Sequence, residues 1–276
     1  MRVILTPSAE HLDLEARTLA THPNNENRLF PDDEVYVQLA DIEDLERAVV
    51  VHAGQPHPNR GLAFLDGVLA LLAEHDVRVT LVFSYVPYGR QDKAFFDGTL
   101  NYVRAMVRKY VDCYGVERIF AVDPHFSHRA WVEAFPLETI GAFSRIDEQV
   151  AMDEYVVVGP DLGAVQRFGV PGYEKDRESA FDVELRGTLD VAGRNVLVFD
   201  DLIATGGTMV SAYDRLKAQG ANRIQAAAVH GVIESGIERV QETYDDLYLT
   251  NTIDTDAATV RVEPLLRDVL DTADRK

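Results

Sequence analysis

The chain has 276 residues, enough for one large domain or two small ones, and its 46% hydrophobic content allows a sizeable core. The net charge is −19, with 46 acids against 27 Lys and Arg. This sets nucleic acid aside as a partner, because the long-range field repels phosphate. Arg far outnumbers Lys, and the acid excess is that of proteins working in concentrated salt, where screening relieves self-repulsion. An anionic substrate then needs local basic residues. The single cysteine, Cys113, allows no internal disulfide and no cysteine-cluster metal site, and its apolar neighbours suggest a core thiol. The apolar run at the N-terminus is too short for a signal peptide, and no run reaches membrane-spanning length. The expectation is a cytoplasmic protein that does not engage a membrane.

In chain order, apolar runs predict strands over 3–6, 35–39, 48–52, 78–83, 118–122, 155–159, 195–199, 223–229 and 246–250. Amphipathic runs predict helices over 11–20, 61–75, 100–114, 127–134, 163–168, 208–219 and 236–244. Such alternation implies parallel sheets covered on both faces. Two halves share one grammar, with strands ending in acids at Asp123 in the first and Asp200 in the second. The reading is two α/β domains, 1–140 and 141–276, each a mainly parallel sheet flanked by helices. Functional residues are expected just past the C-terminal strand ends, in a cleft between the domains.

Phe30 stands beside three acids, Asp32, Asp33 and Glu34. That is an unusual place for a large apolar ring unless something flat covers it; the alternative is a ring tucked under its own domain. After the strand 78–83 comes Tyr85-Val-Pro-Tyr-Gly-Arg-Gln-Asp-Lys93. Pro87 and Gly89 enforce a turn, while Arg90 offers a bidentate fork and Lys93 a point charge to polyphosphate oxygens. The competing reading is a solvated loop with an ion pair. Two further strands end in Asp123-Pro-His125 and in Gly159-Pro-Asp161. His125 and Asp161 can share a divalent metal if those strands are neighbours; otherwise each is an ordinary capping residue. In Gly172-Tyr-Glu-Lys-Asp-Arg177, Lys175 and Arg177 lie two apart, so an extended flap points both to one side, toward a transferring phosphoryl group. A surface hairpin with salt bridges explains the same residues.

The most informative stretch is Val196-Leu-Val-Phe-Asp-Asp-Leu-Ile-Ala-Thr-Gly-Gly-Thr208. A buried strand, a glycine loop and a helix start surround one point with backbone N–H groups, and that point suits a phosphate. Thr205 and Thr208 add hydroxyls, and Gly206 and Gly207 allow close approach. Asp200 and Asp201 repel phosphate and suit sugar hydroxyls or Mg²⁺ just beyond it. A plain helix cap needs neither paired acids nor paired glycines. No Gly-x-x-x-x-Gly-Lys-[Ser/Thr], no Gly-x-Gly-x-x-Gly and no nucleophile–histidine arrangement is present, so P-loop and acyl-transfer chemistry lack support.

In this order the motifs resemble the ribose-phosphate pyrophosphokinase (PRPP synthetase) family, particularly its shorter archaeal-type members, over almost the whole chain. The resemblance implies two phosphoribosyltransferase-type domains, Mg²⁺, and transfer of the diphosphoryl group of ATP to O1 of ribose 5-phosphate. It implies that Arg90 and Gln91 bind ATP, that His125 and Asp161 bind metal, and that Lys175 and Arg177 are catalytic. Ribose 5-phosphate is then held by Asp200, Asp201, Thr205, Gly206, Gly207 and Thr208. It further implies a homo-oligomer in which Phe30, Asp32 and Glu34 complete a neighbouring subunit's ATP site. Ala204 and the 99–104 segment differ from the family's usual pattern. Two other readings stay open: a PRPP-consuming phosphoribosyltransferase and a catalytically silent, synthetase-like regulatory subunit. The linear match of both halves argues against the first, and retention of Lys175, Arg177, His125 and Asp161 against the second.

Overall fold

The computed structural model describes residues 2–24, 27–172, 174–177, 183–186 and 189–274, with the backbone alone at 174–177, 183–186 and 274. Contacts divide the chain into two units: Met1–Gly141 with Thr252–Asp254 and Val262–Lys276, and Ala142–Asn251 with Thr255–Arg261.

In unit 1, six strands pair in parallel throughout: β1 (Arg2–Leu5), β2 (Arg17–Thr18), β3 (Arg47–Ala53), β4 (Arg78–Tyr85), β5 (Val116–Val122) and β6 (Leu137–Ile140). Their order is β2-β1-β3-β4-β5-β6. Val49, Val50 and Val51 on β3 are all at most 1% exposed. A strand covered on both faces needs such an unbroken apolar run, which is why these segments are legible as strands. Helices α1 (Pro58–Glu74) and α2 (Tyr102–Tyr114) follow β3 and β4. α1 buries Leu62, Leu65, Val68, Leu69 and Leu72, a helical-period stripe, in the unit's core. At α2, Asn101 caps the start by accepting from the Arg104 amide, and Gly115, in the left-handed region, ends it.

Unit 2 holds α3 (Phe143–Asp147), β7 (Tyr155–Val158), α4 (Leu162–Phe168), β8 (Glu174–Arg177), β9 (Val183–Arg186), β10 (Asn195–Ile203), α5 (Gly207–Ala218), β11 (Ile224–Gly231), α6 (Glu234–Thr243) and β12 (Leu247–Leu249). Four strands form a second parallel sheet, β12-β11-β10-β7, and β8 and β9 pair antiparallel as a separate ribbon. The core gathers Val196, Val198, Met209, Leu216, Ala226, Ile237 and Val240 from strands and helices. The last helix, α7 (Glu263–Asp274), belongs to unit 1, where Glu263 accepts from the Asp13 amide at 3.1 Å.

Several expectations need correction. Residues 11–20 form turns followed by the short edge strand β2 rather than a helix. The 35–39 run joins no ladder beyond a single bridge from Val35 to Leu29, although Val35, Val37 and Leu39 still pack on the core. The 127–134 helix reduces to a 3₁₀ turn at Ala130–Ala134. Cys113 is exposed, not a core thiol. The strand predicted over 195–199 runs on to Ile203, so Asp200 and Asp201 lie within β10, not beyond it. Among the described residues no helix is long and apolar enough to cross a membrane.

Candidate active site

The candidate residues fall into two groups, one in each unit. In unit 2, β10 delivers Asp200 and Asp201, 8% and 1% exposed, and the chain then turns through 204–206 into α5. Gly206 lies in the left-handed region at φ 74°, and no side chain caps the α5 start. A helix start without a side-chain cap keeps its N–H groups for a ligand. The loop is braced from behind by α6. A Cβ on Gly206 would lie 2.7 Å from the Gly236 carbonyl oxygen, and one on Gly236 only 1.8 Å from the Ala204 oxygen. Backbone meets backbone there, so neither position admits a side chain. Arg239 Nη1 also donates to the Thr205 carbonyl at 3.0 Å, holding that peptide from the α6 side. Thr205 is exposed, and Thr208 is half-buried in the first turn of α5.

Both acids meet one cation. Arg167 Nη2, on α4, donates to Asp200 Oδ1 at 3.0 Å and to Asp201 Oδ1 at 2.5 Å. Burial and the adjacent Asp201 charge push the Asp200 carboxyl well above the usual carboxylate range, and Arg167 opposes them. Asp161 caps α4, its Oδ1 accepting from the Ala164 amide at 3.1 Å. Of Lys175 and Arg177 only the backbone is described, opposite Leu185 and Val183 in the antiparallel ribbon, and their side chains lie outside the described part.

In unit 1, β4 ends in the turn that carries Arg90 and Gln91, both exposed. The next residue anchors the turn. Asp92, with its side chain 3% exposed, accepts from Arg129 Nε at 2.6 Å. Its carbonyl accepts from Asn101 Nδ2 at 2.7 Å and from Trp131 Nε1 at 3.1 Å. His125, after β5, packs beside Gly89, its Cβ 3.7 Å from the place a Gly89 Cβ would take. β5 and β7 belong to different sheets, so the neighbouring-strand condition for one ion shared by His125 and Asp161 is not met. Phe30 is 37% exposed at the base of a tight turn, which its amide closes by donating to the Glu34 carbonyl at 2.8 Å. His22 and Tyr36 meet its ring edge-to-face at 5.5 and 5.9 Å, while Asp32 and Glu34 are exposed.

Sequence reasoning missed Arg167, Gly236, Arg239, Asp92 and Arg129. Only Asp92, inside the Arg90–Lys93 turn, stood in a segment already singled out.

Two units, each built on a parallel sheet, one of them carrying an acid pair and a phosphate-type loop, define an α/β protein of the phosphoribosyltransferase class. The family model described as "Phosphoribosyl transferase domain" matches residues 171–265. A crystal structure of phosphoribosylpyrophosphate synthetase from Mycobacterium smegmatis superposes with a TM-score of 0.79, covering 100% of this chain and 99% of that one at 24% identity. Ribose-phosphate pyrophosphokinase from Pyrococcus furiosus is 31% identical over 97% of this chain and 100% of its own length. The Thermococcus kodakarensis protein of the same name is 34% identical over 87% of this chain and 90% of its own. The chain belongs to the ribose-phosphate pyrophosphokinase family, and it is an enzyme of that family.

Proposed function

We propose that these two groups of residues carry the family's reaction, in which the diphosphoryl group of ATP passes to O1 of ribose 5-phosphate, giving 5-phosphoribosyl 1-diphosphate and AMP. The observation that supports this most is the buried acid pair on β10 followed closely by the start of α5, which no side chain caps. Carboxylates accept hydrogen bonds from sugar hydroxyls, and a helix start attracts phosphate. Ribose 5-phosphate carries both groups on one small molecule. With Arg167 already supplying a cation to the pair, the carboxylates suit hydroxyls rather than a metal.

In this reading Asp200 and Asp201 hold the ribose hydroxyls, and Thr205, Gly206, Gly207 and Thr208 hold the 5-phosphate. O1 is thereby fixed for in-line attack on the β-phosphorus, and AMP leaves. Arg90 and Gln91 hold the polyphosphate, on a turn kept rigid by Asp92. Lys175 and Arg177 meet charge on the transferring group as it develops. Mg²⁺ suits the donors available. It binds through one or two carboxylates plus phosphate oxygens and water rather than in an all-protein cage. Among the described residues no cluster of three or more metal-type side chains exists, while Asp161 offers a hard oxygen oriented by its cap. We assign Asp161 and His125 as separate contacts to Mg²⁺ on the phosphates. When bound, Mg²⁺ neutralises phosphate charge. Phe30, Asp32 and Glu34 are assigned to the adenine of a neighbouring subunit in a homo-oligomer, supported by the exposure of all three. We place the protein in the cytoplasm, where both substrates are met. The deciding assay supplies ATP, ribose 5-phosphate and Mg²⁺ in high salt and follows PRPP and AMP together. Equimolar formation of both is expected; AMP alone, or neither product, overturns the reading.

A further inference from the structure

We propose that Arg167 is a positioning residue for ribose 5-phosphate, and this rests on the assignment of Asp200 and Asp201 to the sugar. Successive residues of a strand point to opposite faces. Asp200 and Asp201 are successive on β10, and nevertheless their Oδ1 atoms meet at a single nitrogen, Arg167 Nη2. Two buried carboxylates repel one another, and although the Asp201 amide donates to Asp200 Oδ1 at 2.9 Å, a cation at the point where they converge offsets that repulsion. Arg167 is that cation, with its side chain only 6% exposed.

The fold makes room for it. Arg167 lies in the last turn of α4, whose start is capped by Asp161. Its guanidinium doubles back along the helix past Gly163, where a Cβ would sit 3.1 Å from Nη1 and 3.0 Å from Asp161 Oδ1. Phe168 packs at the guanidinium, with its ring centroid 5.8 Å from Cζ, and is itself held against Phe199 of β10 at 4.4 Å. Arg167 Nε is buried and has no hydrogen-bond partner among the described residues. A side chain kept for stability alone has no cause to leave a charged donor unpaired. The arrangement instead brings both acids to one terminal nitrogen of a buried side chain, which fixes the orientation in which they meet the sugar.

The test replaces Arg167 by Gln and by Lys and measures kcat and the KM for each substrate in high salt, with thermal unfolding alongside. Loss of one charge-assisted link to each acid is expected to raise the KM for ribose 5-phosphate by at least about tenfold in Arg167→Gln, while the KM for ATP stays within about twofold. Arg167→Lys keeps a cation that can bridge both acids and is expected to recover part of the loss. A folded Gln variant with an unchanged KM for ribose 5-phosphate overturns the inference, and so does an equal rise in both KM values. If Arg167→Gln does not fold, the Lys variant decides: a selective rise in the same KM supports the role, and wild-type constants overturn it. Asp200→Asn separates the two levels of argument. If it leaves the KM for ribose 5-phosphate unchanged, the sugar assignment fails; if it raises that KM and Arg167→Gln does not, only the role of Arg167 fails.

Discussion

Gly236→Ala tests how the phosphate loop is held. The added methyl carbon would start 1.8 Å from the Ala204 carbonyl oxygen and would also crowd the Ala204 and Thr205 carbonyl carbons at 2.8 and 3.0 Å. All three are backbone atoms, so no side chain can rotate away. The oxygen has to retreat by about 1.2 Å to reach even a tight contact. That movement falls on the segment between Asp200 and the start of α5, and it also strains the Arg239 link to the Thr205 carbonyl. Overpacking of this kind costs about 1–3 kcal/mol of stability. A displacement of about 1 Å in a substrate-holding group costs up to about a hundredfold in rate. The assay titrates ribose 5-phosphate at saturating ATP and Mg²⁺ and follows AMP. The expected result is a fall of about 30- to 100-fold in kcat/KM for ribose 5-phosphate, with the KM for ATP nearly unchanged. A variant that keeps its Tm and loses less than about threefold in kcat/KM refutes the claim that α6 braces the loop.

Arg129→Ala leaves the Asp92 carboxylate buried without its cation and should cost about 3 kcal/mol, near the low end for such pairs because Arg129 is 30% exposed. Calorimetry should record a Tm drop of roughly 6–12 °C, recovered in part by adding Asp92→Asn; a loss under about 1 kcal/mol contradicts the clamp. His52 is fully buried, and burial lowers its pKa from 6.5 to about 3. The unfolded chain therefore binds the extra proton between those values, so stability falls as pH drops below 6.5, by about 2 kcal/mol at pH 5. Chemical unfolding of His52→Gln across this range should show a flatter dependence, and an unaltered slope excludes His52 as its source. Lys175→Ala and Arg177→Ala should each lower kcat by about 10²- to 10³-fold with small changes in KM, as expected of contacts made in the transition state. A rise in KM alone makes that residue a ground-state contact. Phe30→Ala mixed with Lys175→Ala should regain turnover after subunit exchange, because a mixed oligomer can form a site carrying neither change; no recovery after proven exchange rejects the shared adenine site.

Much of the fold was written locally. The runs 48–52, 78–83, 118–122 and 195–199 are strands because burial on both faces favours consecutive apolar residues, as at Val49–Val51, Leu81–Phe83, Ile119–Val122 and Val196–Phe199. The segment 11–20 misled because Leu12 and Leu19, seven apart, look like one helical face and are both buried. What organises it is remote: Arg17 and Thr18 pair with Ile4 and Leu5, and the Ala20 amide finds the Gln38 carbonyl. The apolar run over 35–39 was a true sign of packing on the core, but among the described residues Val35 pairs only in a single bridge to Leu29. Helix α7 carried a readable signal in Val262, Leu266 and Ala273, spaced for one face, with Glu263 and Pro264 at its start. At the site, the acid pair and the glycine loop are contiguous and could be read. Arg167 could not, since a basic residue in a last helical turn is commonplace and its distance from Asp200 exists only in three dimensions. Gly236 was equally silent, because its requirement comes from the backbone of a loop some thirty residues away.

The path of the chain has a consequence for how the protein is made. Unit 2 is nearly continuous, and its sheet has every strand once β12 has been synthesised. Unit 1 begins ahead of unit 2 along the chain and yet waits for α7, which follows unit 2. Chains fold as they emerge, so the half begun first is the half completed last. A premature stop after residue 261 would remove a wall from the opening half of the protein and leave the strand bearing Asp200 with all its neighbours.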